Sequence, residues 1–214
     1  MKTPEQFDVV ASKCRRIYEL KMKDYGPSWR IMRPQTVNDQ LFIKAKRVRE
    51  IEQTGVNMVG ESIEGEMMAI VNYSIIGLIQ LHEGFADSVD MTAERAIELY
   101  DHYMAEAKAL MLKKNHDYGE AWRDMFASSL TDIILTKINR NKSITANDNQ
   151  TLISEGADGN YFDMLNYAIF YLIKIMENDL DYGVLPIYAF LANKEIMSPH
   201  KDTNHLKNKP RSLN

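Results

Sequence analysis

An internal duplication limits the folds open to this sequence more than any other feature. The motif Asp-Tyr-Gly-x-x-Trp-Arg begins at Asp24 and begins again 93 residues later at Asp117. Further matches follow in the same order, with offsets of 93 or 94: Met32/Met125, Lys44/Lys137, Arg47/Arg140, Glu61/Glu155 and Asn72/Asn166. A fixed period of this length indicates two structurally related units. We therefore predict repeats over residues 1–91 and 92–197, followed by a disordered tail over 198–214.

Helix signals fill both predicted repeats. Thr3 is a plausible cap, Pro4 fits a first helical turn, and Gly26 fits a helix end. Apolar residues recur at helical spacing, and no segment alternates as a strand does. We expect an all-α bundle whose repeats are related by a pseudo-twofold axis. The predicted helices cover 3–25, 37–54, 61–83, 92–116, 129–142 and 161–178, with a short piece at 186–194 and a loop at 143–150.

The net charge, the cysteine count and the length of the apolar stretches limit which partners and compartments we expect. The net charge of −4 argues against a protein that wraps nucleic acid. The single cysteine, Cys14, forms no internal disulfide, which favours a reducing compartment. No apolar stretch approaches the ~20 residues that span a bilayer. We expect a cytoplasmic protein without a membrane partner, and homodimerisation is left open.

Two pairs of cationic residues recur at matched positions. Lys44 and Arg47 are three residues apart, as are Lys137 and Arg140, so each pair shares a helix face. Two cations on one face suit a phosphate group. The alternative is an ordinary solvated basic face.

Acidic residues precede or enter the third helix of each repeat. The candidates for binding Mg²⁺ are Glu61, Glu64, Glu155, Asp158 and Asp163. Clustered carboxylates are hard oxygen ligands that suit Mg²⁺ carrying nucleotide phosphates. Among them, Glu64, Glu155 and Asp163 are the candidates for activating water. The alternative for Asp163, which stands in an apolar stretch, is a structural ion pair with Lys137 or Arg140.

The motif itself offers further candidates for binding a nucleotide. Trp29 and Trp122 are suited to stack on a base, although a tryptophan after a turn is more often a core residue. Asp24 and Asp117 are suited to organise the turn or to contact a metal or sugar. The last candidates are the matched amides Asn72 and Asn166.

Together, these motifs resemble a known family. The order Lys-x-x-Asp-Tyr-Gly-x-x-Trp, Lys-x-x-Arg and Asp-x-x-Asn-Tyr-Ala is similar to the nucleotide modification associated domain 1 family of bacteria and phages. The resemblance covers most of residues 13–175 in two copies. The second copy matches better, since Ala69 stands in the first copy where Asp163 stands in the second.

A looser resemblance is to the MazG-like all-α nucleoside triphosphate pyrophosphatases. That family binds Mg²⁺ through Glu-x-x-Glu and Glu-x-x-Asp, which Glu61-x-x-Glu64 and Glu155-x-x-Asp158 approximate. It implies a Mg²⁺-dependent nucleotide pyrophosphohydrolase with either two sites or one composite site. The alternatives are a non-catalytic module that binds nucleotides or modified bases, and a helical scaffold without a small-molecule site.

Overall fold

The structure, a computed structural model, describes residues 2–147 and 156–178. All regular elements in these residues are helices, which confirms the all-α prediction. The first repeat contains α1 to α3, the second contains α4 to α6, and a short 3-10 turn follows α1 and α4. The helices are α1 (Thr3–Tyr25), α2 (Pro34–Thr54), α3 (Ile63–Glu83), α4 (Ala93–Tyr118), α5 (Ala127–Ala146) and α6 (Ala157–Asn178).

Most helix ends lie where turn-forming residues predict them. Gly55 and Gly119 end α2 and α4 in the left-handed conformation, which glycine adopts without steric cost. The Thr92 hydroxyl accepts a hydrogen bond from the backbone N–H of Arg95 and caps α4 as expected.

Several predicted boundaries are wrong. The second helix begins at Pro34 rather than at residue 37, and the sixth begins at Ala157 rather than at residue 161. Lys2, not Thr3, is the N-cap of α1, and the Glu5 carboxylate accepts a hydrogen bond from the Lys2 backbone N–H. The polar sequence after Lys142 predicts a loop, but α5 continues to Ala146. Ile144 is buried in this last turn, so tertiary packing extends the helix beyond its polar sequence.

The core lies mainly between α3 and α6, which pack on each other more extensively than any other pair. Both helices are buried around much of their circumference, as is typical of central helices. A Cβ atom at Gly77 of α3 would overlap the ring of Tyr161 of α6. The absence of a side chain at Gly77 therefore allows the two helices to approach closely.

Each helix also packs against its counterpart in the other repeat: α1 against α4, α2 against α5, and α3 against α6. Contacts within the repeats match as well. The Asn72 amide donates to the Cys14 carbonyl at 3.2 Å, and the Asn166 amide donates to the Ala107 carbonyl at 3.2 Å. Equivalent asparagines thus tie the third helix of each repeat to the first.

Two ion pairs between α1 and α4 are reciprocal. Arg15 contacts Asp101 at 2.7 Å, and Lys108 contacts Asp8 at 2.6 Å. Lys108 is the counterpart of Arg15, and Asp101 is the counterpart of Asp8, both at the offset of 93. Such exchange of partners is typical of an isologous contact; the pseudo-twofold axis itself stays a prediction.

The recurring motif builds a turn at the end of the first helix of each repeat. In the first repeat Gly26 has φ +64°, and the Arg30 guanidinium is buried, donating to Asp90 at 2.8 Å and to the Gly84 carbonyl at 2.6 Å. In the second repeat Lys174 donates to the Arg123 carbonyl at 2.6 Å. The glycine and arginine of the motif therefore shape and fasten the turn.

None of the described helices is long and apolar enough to cross a bilayer. The predicted short helix at 186–194 and the predicted tail at 198–214 lie outside the described residues.

Candidate functional site

In the second repeat, two lysines converge on one buried carboxylate. Lys137 of α5 contacts one Asp163 oxygen at 2.5 Å, and Lys114 of α4 contacts the other at 2.6 Å. The Asp163 side chain is 9 % exposed, whereas that of Lys114 is 43 % exposed. We call these three residues the second cluster. The predicted ion pair between Asp163 and Lys137 is therefore present, with a second cation that the sequence analysis did not include.

The first repeat holds a related arrangement around Glu66 of α3. Its carboxylate is 2 % exposed and contacts Arg47 at 2.6 Å and Lys44 at 3.2 Å. Arg47 also contacts Glu61 and donates to the Asn57 side chain at 3.1 Å. We define the first cluster as Lys21, Lys44, Arg47, Glu61 and Glu66.

Lys21, which is exposed on α1, is included in the first cluster as the counterpart of Lys114. The pKa of its ammonium group is lowered by burial and by the neighbouring charge of Lys44, while Glu61 raises it. Lys21 is the counterpart of Lys114 at the offset of 93. The first helix of each repeat thus supplies one lysine at the same position.

The two clusters differ in which turn of the third helix carries the buried acid. Glu66 corresponds to Asn160 at the offset of 94, and Ala69 corresponds to Asp163. The acid therefore lies one helical turn earlier in the first repeat. Glu61 and Glu64 were the acids predicted for the first repeat, and Glu66 was missed because the position equivalent to Asp163 is Ala69. The signal that could have found it is a charged residue within the apolar run of α3.

The carboxyl groups of Glu61 and Glu66 share the Arg47 guanidinium as a partner. Burial raises the pKa of Glu66, and the neighbouring Glu61 carboxyl acts in the same direction. The Glu66 carboxyl lowers the pKa of Glu61, and Arg47 lowers it further. One proton shared by such a pair favours the buried member, because the charged form of Glu66 is the more poorly solvated.

The other predicted acids lie apart from these carboxylates or outside the described residues. Glu64 forms an ion pair with Lys13 at 3.6 Å, and Asp158 is exposed in the first turn of α6. Glu155 lies outside the described residues. Within 2–147 and 156–178, no three His, Cys, Asp or Glu side chains are grouped so as to hold a metal ion.

The predicted phosphate ligands also differ between the repeats. Lys44, Arg47 and Lys137 all contact buried carboxylates. Arg140 instead is exposed on α5, one turn after Lys137. The guanidinium of Arg140 therefore lies on the surface near the second cluster. The equivalent group of Arg47 instead forms an ion pair with the buried Glu66 carboxylate.

Both tryptophans of the motif are buried, with 4 % and 5 % of Trp29 and Trp122 exposed. Trp122 stacks on Phe170 with ring centroids 4.3 Å apart, and the guanidinium of Arg123 lies 4.4 Å from the Trp122 centroid. These rings therefore offer little free surface to a base.

The remaining nucleotide-binding candidates fall into two groups. Asn72 and Asn166 are buried and bonded to backbone carbonyls, and Asn72 also accepts from the Tyr100 hydroxyl at 2.9 Å. Asp24 and Asp117 are exposed in the last turns of α1 and α4. In the structure, the asparagines therefore connect helices, and the aspartates face solvent.

The model of the family described as nucleotide modification associated domain 1 matches residues 21–81 and 114–175, more than half of the chain. The chain belongs to this family. Two matched segments agree with the two tandem copies predicted from the motif. No curated protein matches the chain, and no solved structure does.

The family segments contain both clusters in full. They begin at Lys21 and Lys114, the lysines that the first helix of each repeat contributes. They include both buried carboxylates, Glu66 and Asp163, although these stand on different turns. The segments that match the nucleotide modification associated domain 1 family are thus the parts of the chain in which cations contact a buried acid.

Proposed function

We propose that the protein binds nucleotides through their phosphate groups, with the second cluster as the principal site. The carrying observation is that Lys114 and Lys137 share a single carboxylate, that of Asp163, at 2.6 and 2.5 Å. Two ammonium groups thus lie beside one carboxylate, and both lysine side chains are partly exposed to solvent. Family membership supports a nucleotide as the source of the anion.

The chemistry of the second cluster suits a phosphate better than a bare metal ion. Asp163 is surrounded by cations, and a metal ion would have to displace at least one of them. A phosphate would instead approach the lysines from solvent, where 43 % of the Lys114 side chain and 16 % of the Lys137 side chain are exposed. Charge-assisted hydrogen bonds of this kind are roughly twice as strong as neutral ones.

Arg140 is a further cation of the second repeat that could bind phosphate. It lies three residues after Lys137 on α5, so the two cations occupy one helix face. Its guanidinium is exposed and suited to bidentate contact with a second phosphate. The equivalent Arg47 is engaged by Glu61 and Glu66. We therefore infer that the first cluster binds phosphate more weakly.

A second candidate function is Mg²⁺-dependent nucleotide pyrophosphohydrolysis. The observation that favours it is that Glu61 and Glu66 meet at Arg47, and that burial raises the pKa of Glu66. Acids with perturbed pKa values are enriched at catalytic sites. Mg²⁺ bound to these oxygens would orient phosphates and activate water. The resemblance to MazG-like enzymes supports the same chemistry.

The test is titration calorimetry of the full chain with each of the four dNTPs and with pyrophosphate, with and without Mg²⁺. Binding should be measurable without the metal and should weaken about tenfold in Lys137→Gln, the loss of one charge-assisted contact being worth about 1.5 kcal/mol. The matched control is Lys142→Gln, an exposed lysine of the same helix, which should leave the affinity unchanged.

The absence of binding by any dNTP and by pyrophosphate would overturn the proposal. Release of pyrophosphate from a dNTP only when Mg²⁺ is present, abolished by Glu66→Gln, would establish the second candidate instead. The effect of Glu66→Gln on folding is checked by its unfolding curve.

A further inference from the structure

The tyrosine of the recurring motif is exposed in both repeats, unlike the tryptophan that follows it by four residues. Tyr25 is 56 % exposed and Tyr118 is 72 % exposed, whereas Trp29 and Trp122 are buried. The glycine, tryptophan and arginine of the motif have structural contacts. The turn geometry therefore does not account for an aromatic ring that faces solvent twice.

Tyr118 lies beside the second cluster. It follows Lys114 by four residues, so both share one face of α4 and are separated by about 6 Å along the helix axis. Tyr167 follows Asp163 by four residues on α6 in the same way. Helical side chains lean toward the N-terminus of their helix. Both tyrosine rings therefore lean toward the ion pair between Lys114 and Asp163.

The electrostatic environment of Tyr167 agrees with this placement. The pKa of its phenol is raised by burial, then by the charge of Asp163, and further by that of Tyr118, while Lys114 lowers it. The two phenols, the ammonium group and the carboxylate thus lie within electrostatic range of one another. An aromatic surface and a cationic one adjoin at this end of α4.

We propose that Tyr118 is the aromatic platform on which the base of a nucleotide stacks while Lys114 and Lys137 hold its phosphates. The inference rests on the proposed phosphate-binding function. It adds that the base contacts Tyr118, which is not one of the residues that bind the phosphates. A base that stacks on an exposed ring is held by its face, so all four bases bind. Purines, with their larger faces, bind more tightly than pyrimidines.

The motif tyrosine therefore performs a task that its buried tryptophan does not. Lys21 and Tyr25 are again four residues apart on α1, so the first repeat carries the same pairing of cation and ring. The binding of its anion is weaker because Arg47 is engaged internally. Tyr25 makes a smaller contribution than Tyr118 for that reason.

The test compares dATP, dTTP and pyrophosphate by titration calorimetry with the full chain. Tyr118→Ala should raise the Kd for dATP about tenfold, the loss expected for one base–aromatic stack, and should leave the Kd for pyrophosphate unchanged. Tyr118→Phe, which keeps the ring, should retain the affinity for dATP. The matched control is Phe126→Ala, because Phe126 is 80 % exposed in the same repeat.

Each outcome separates this inference from the proposed function. If Tyr118→Ala binds dATP as the wild type does while Lys137→Gln binds it weakly, the base lies elsewhere and the phosphate site stands. Equal losses for dATP and pyrophosphate in Tyr118→Ala would also overturn the platform, since stacking concerns the base alone. If neither compound binds the wild type, both proposals are overturned.

Discussion

Lys137 and Asp163 lie 2.5 Å apart, and the carboxylate of this pair is almost completely shielded from solvent. Asp163 therefore orients Lys137 and Lys114 while cancelling part of their charge. We predict that Asp163→Asn, which keeps the shape of the side chain, lowers the Kd for pyrophosphate several-fold. Removing a negative charge beside a bound anion is worth on the order of 1 kcal/mol in this partly exposed setting.

Calorimetry of this variant also distinguishes a cationic phosphate site from a metal site at Asp163. Tighter binding of pyrophosphate supports a cationic phosphate site. If the variant binds pyrophosphate more weakly than the wild type does, and this loss occurs only when Mg²⁺ is present, Asp163 acts as a metal ligand.

Arg47 and Arg140 occupy equivalent positions but differ in their contacts, which predicts different effects on stability. Arg47→Ala deprives the buried Glu66 carboxylate of one of its two cations and should lower the free energy of unfolding by about 2–4 kcal/mol. Arg140→Ala removes an exposed side chain and should change it by less than about 0.5 kcal/mol. Urea unfolding of the two variants measures the difference; equal losses would contradict the assignment of Glu66 as an internal ion-pair partner.

At Gly77, α3 can approach α6 closely because glycine has no side chain. Gly77→Ala places a methyl group on the buried ring of Tyr161, and overpacking of this kind costs about 1–3 kcal/mol. Thermal unfolding should show this loss despite the better helix propensity of alanine. A stability equal to or above that of the wild type would contradict the close packing of the two central helices.

Glu52 links α2 to the second repeat and predicts a pH dependence of stability. Its Oε1 accepts hydrogen bonds from Thr131 and Tyr171, each at 2.9 Å. Burial raises the pKa of this carboxyl above its ordinary value of 4.5, against the effect of the two hydrogen bonds. The folded state therefore holds the proton more tightly than the unfolded state does, and stability from this group falls as the pH rises through the folded pKa.

Glu52→Gln keeps the acceptor oxygen and removes the titration. Urea midpoints of this variant and of the wild type should coincide near pH 3, where both side chains are neutral. The variant should become the more stable of the two as the pH increases from 4 to 7. Glu50→Gln, an exposed control on the same helix, should show no such gain; a constant difference at all pH values would refute the raised pKa.

Much of the fold could be predicted because its signals are local. Glycines after Tyr25, Thr54 and Tyr118 end helices, and Thr92 caps one, as their backbone preferences require. The end of α5 could not be predicted, because Ile144 is buried by tertiary contacts that no local pattern reveals.

The site was predicted less completely for a physical reason. Spacing identified Lys44, Lys137 and Asp163, since these stand at matched positions on helix faces. It did not identify Glu66, because a carboxylate can reach the same cations from the preceding turn of the helix. Nor does sequence alone distinguish Arg47, which is bound to acids, from Arg140, which is exposed.

A crystal structure of the protein with pyrophosphate will show whether the lysines around Asp163 bind phosphate. We expect a phosphate group within hydrogen-bond distance of both Lys114 Nζ and Lys137 Nζ. Pyrophosphate bound at another place, or a metal ion coordinated by Asp163 in the position of the lysines, would contradict it.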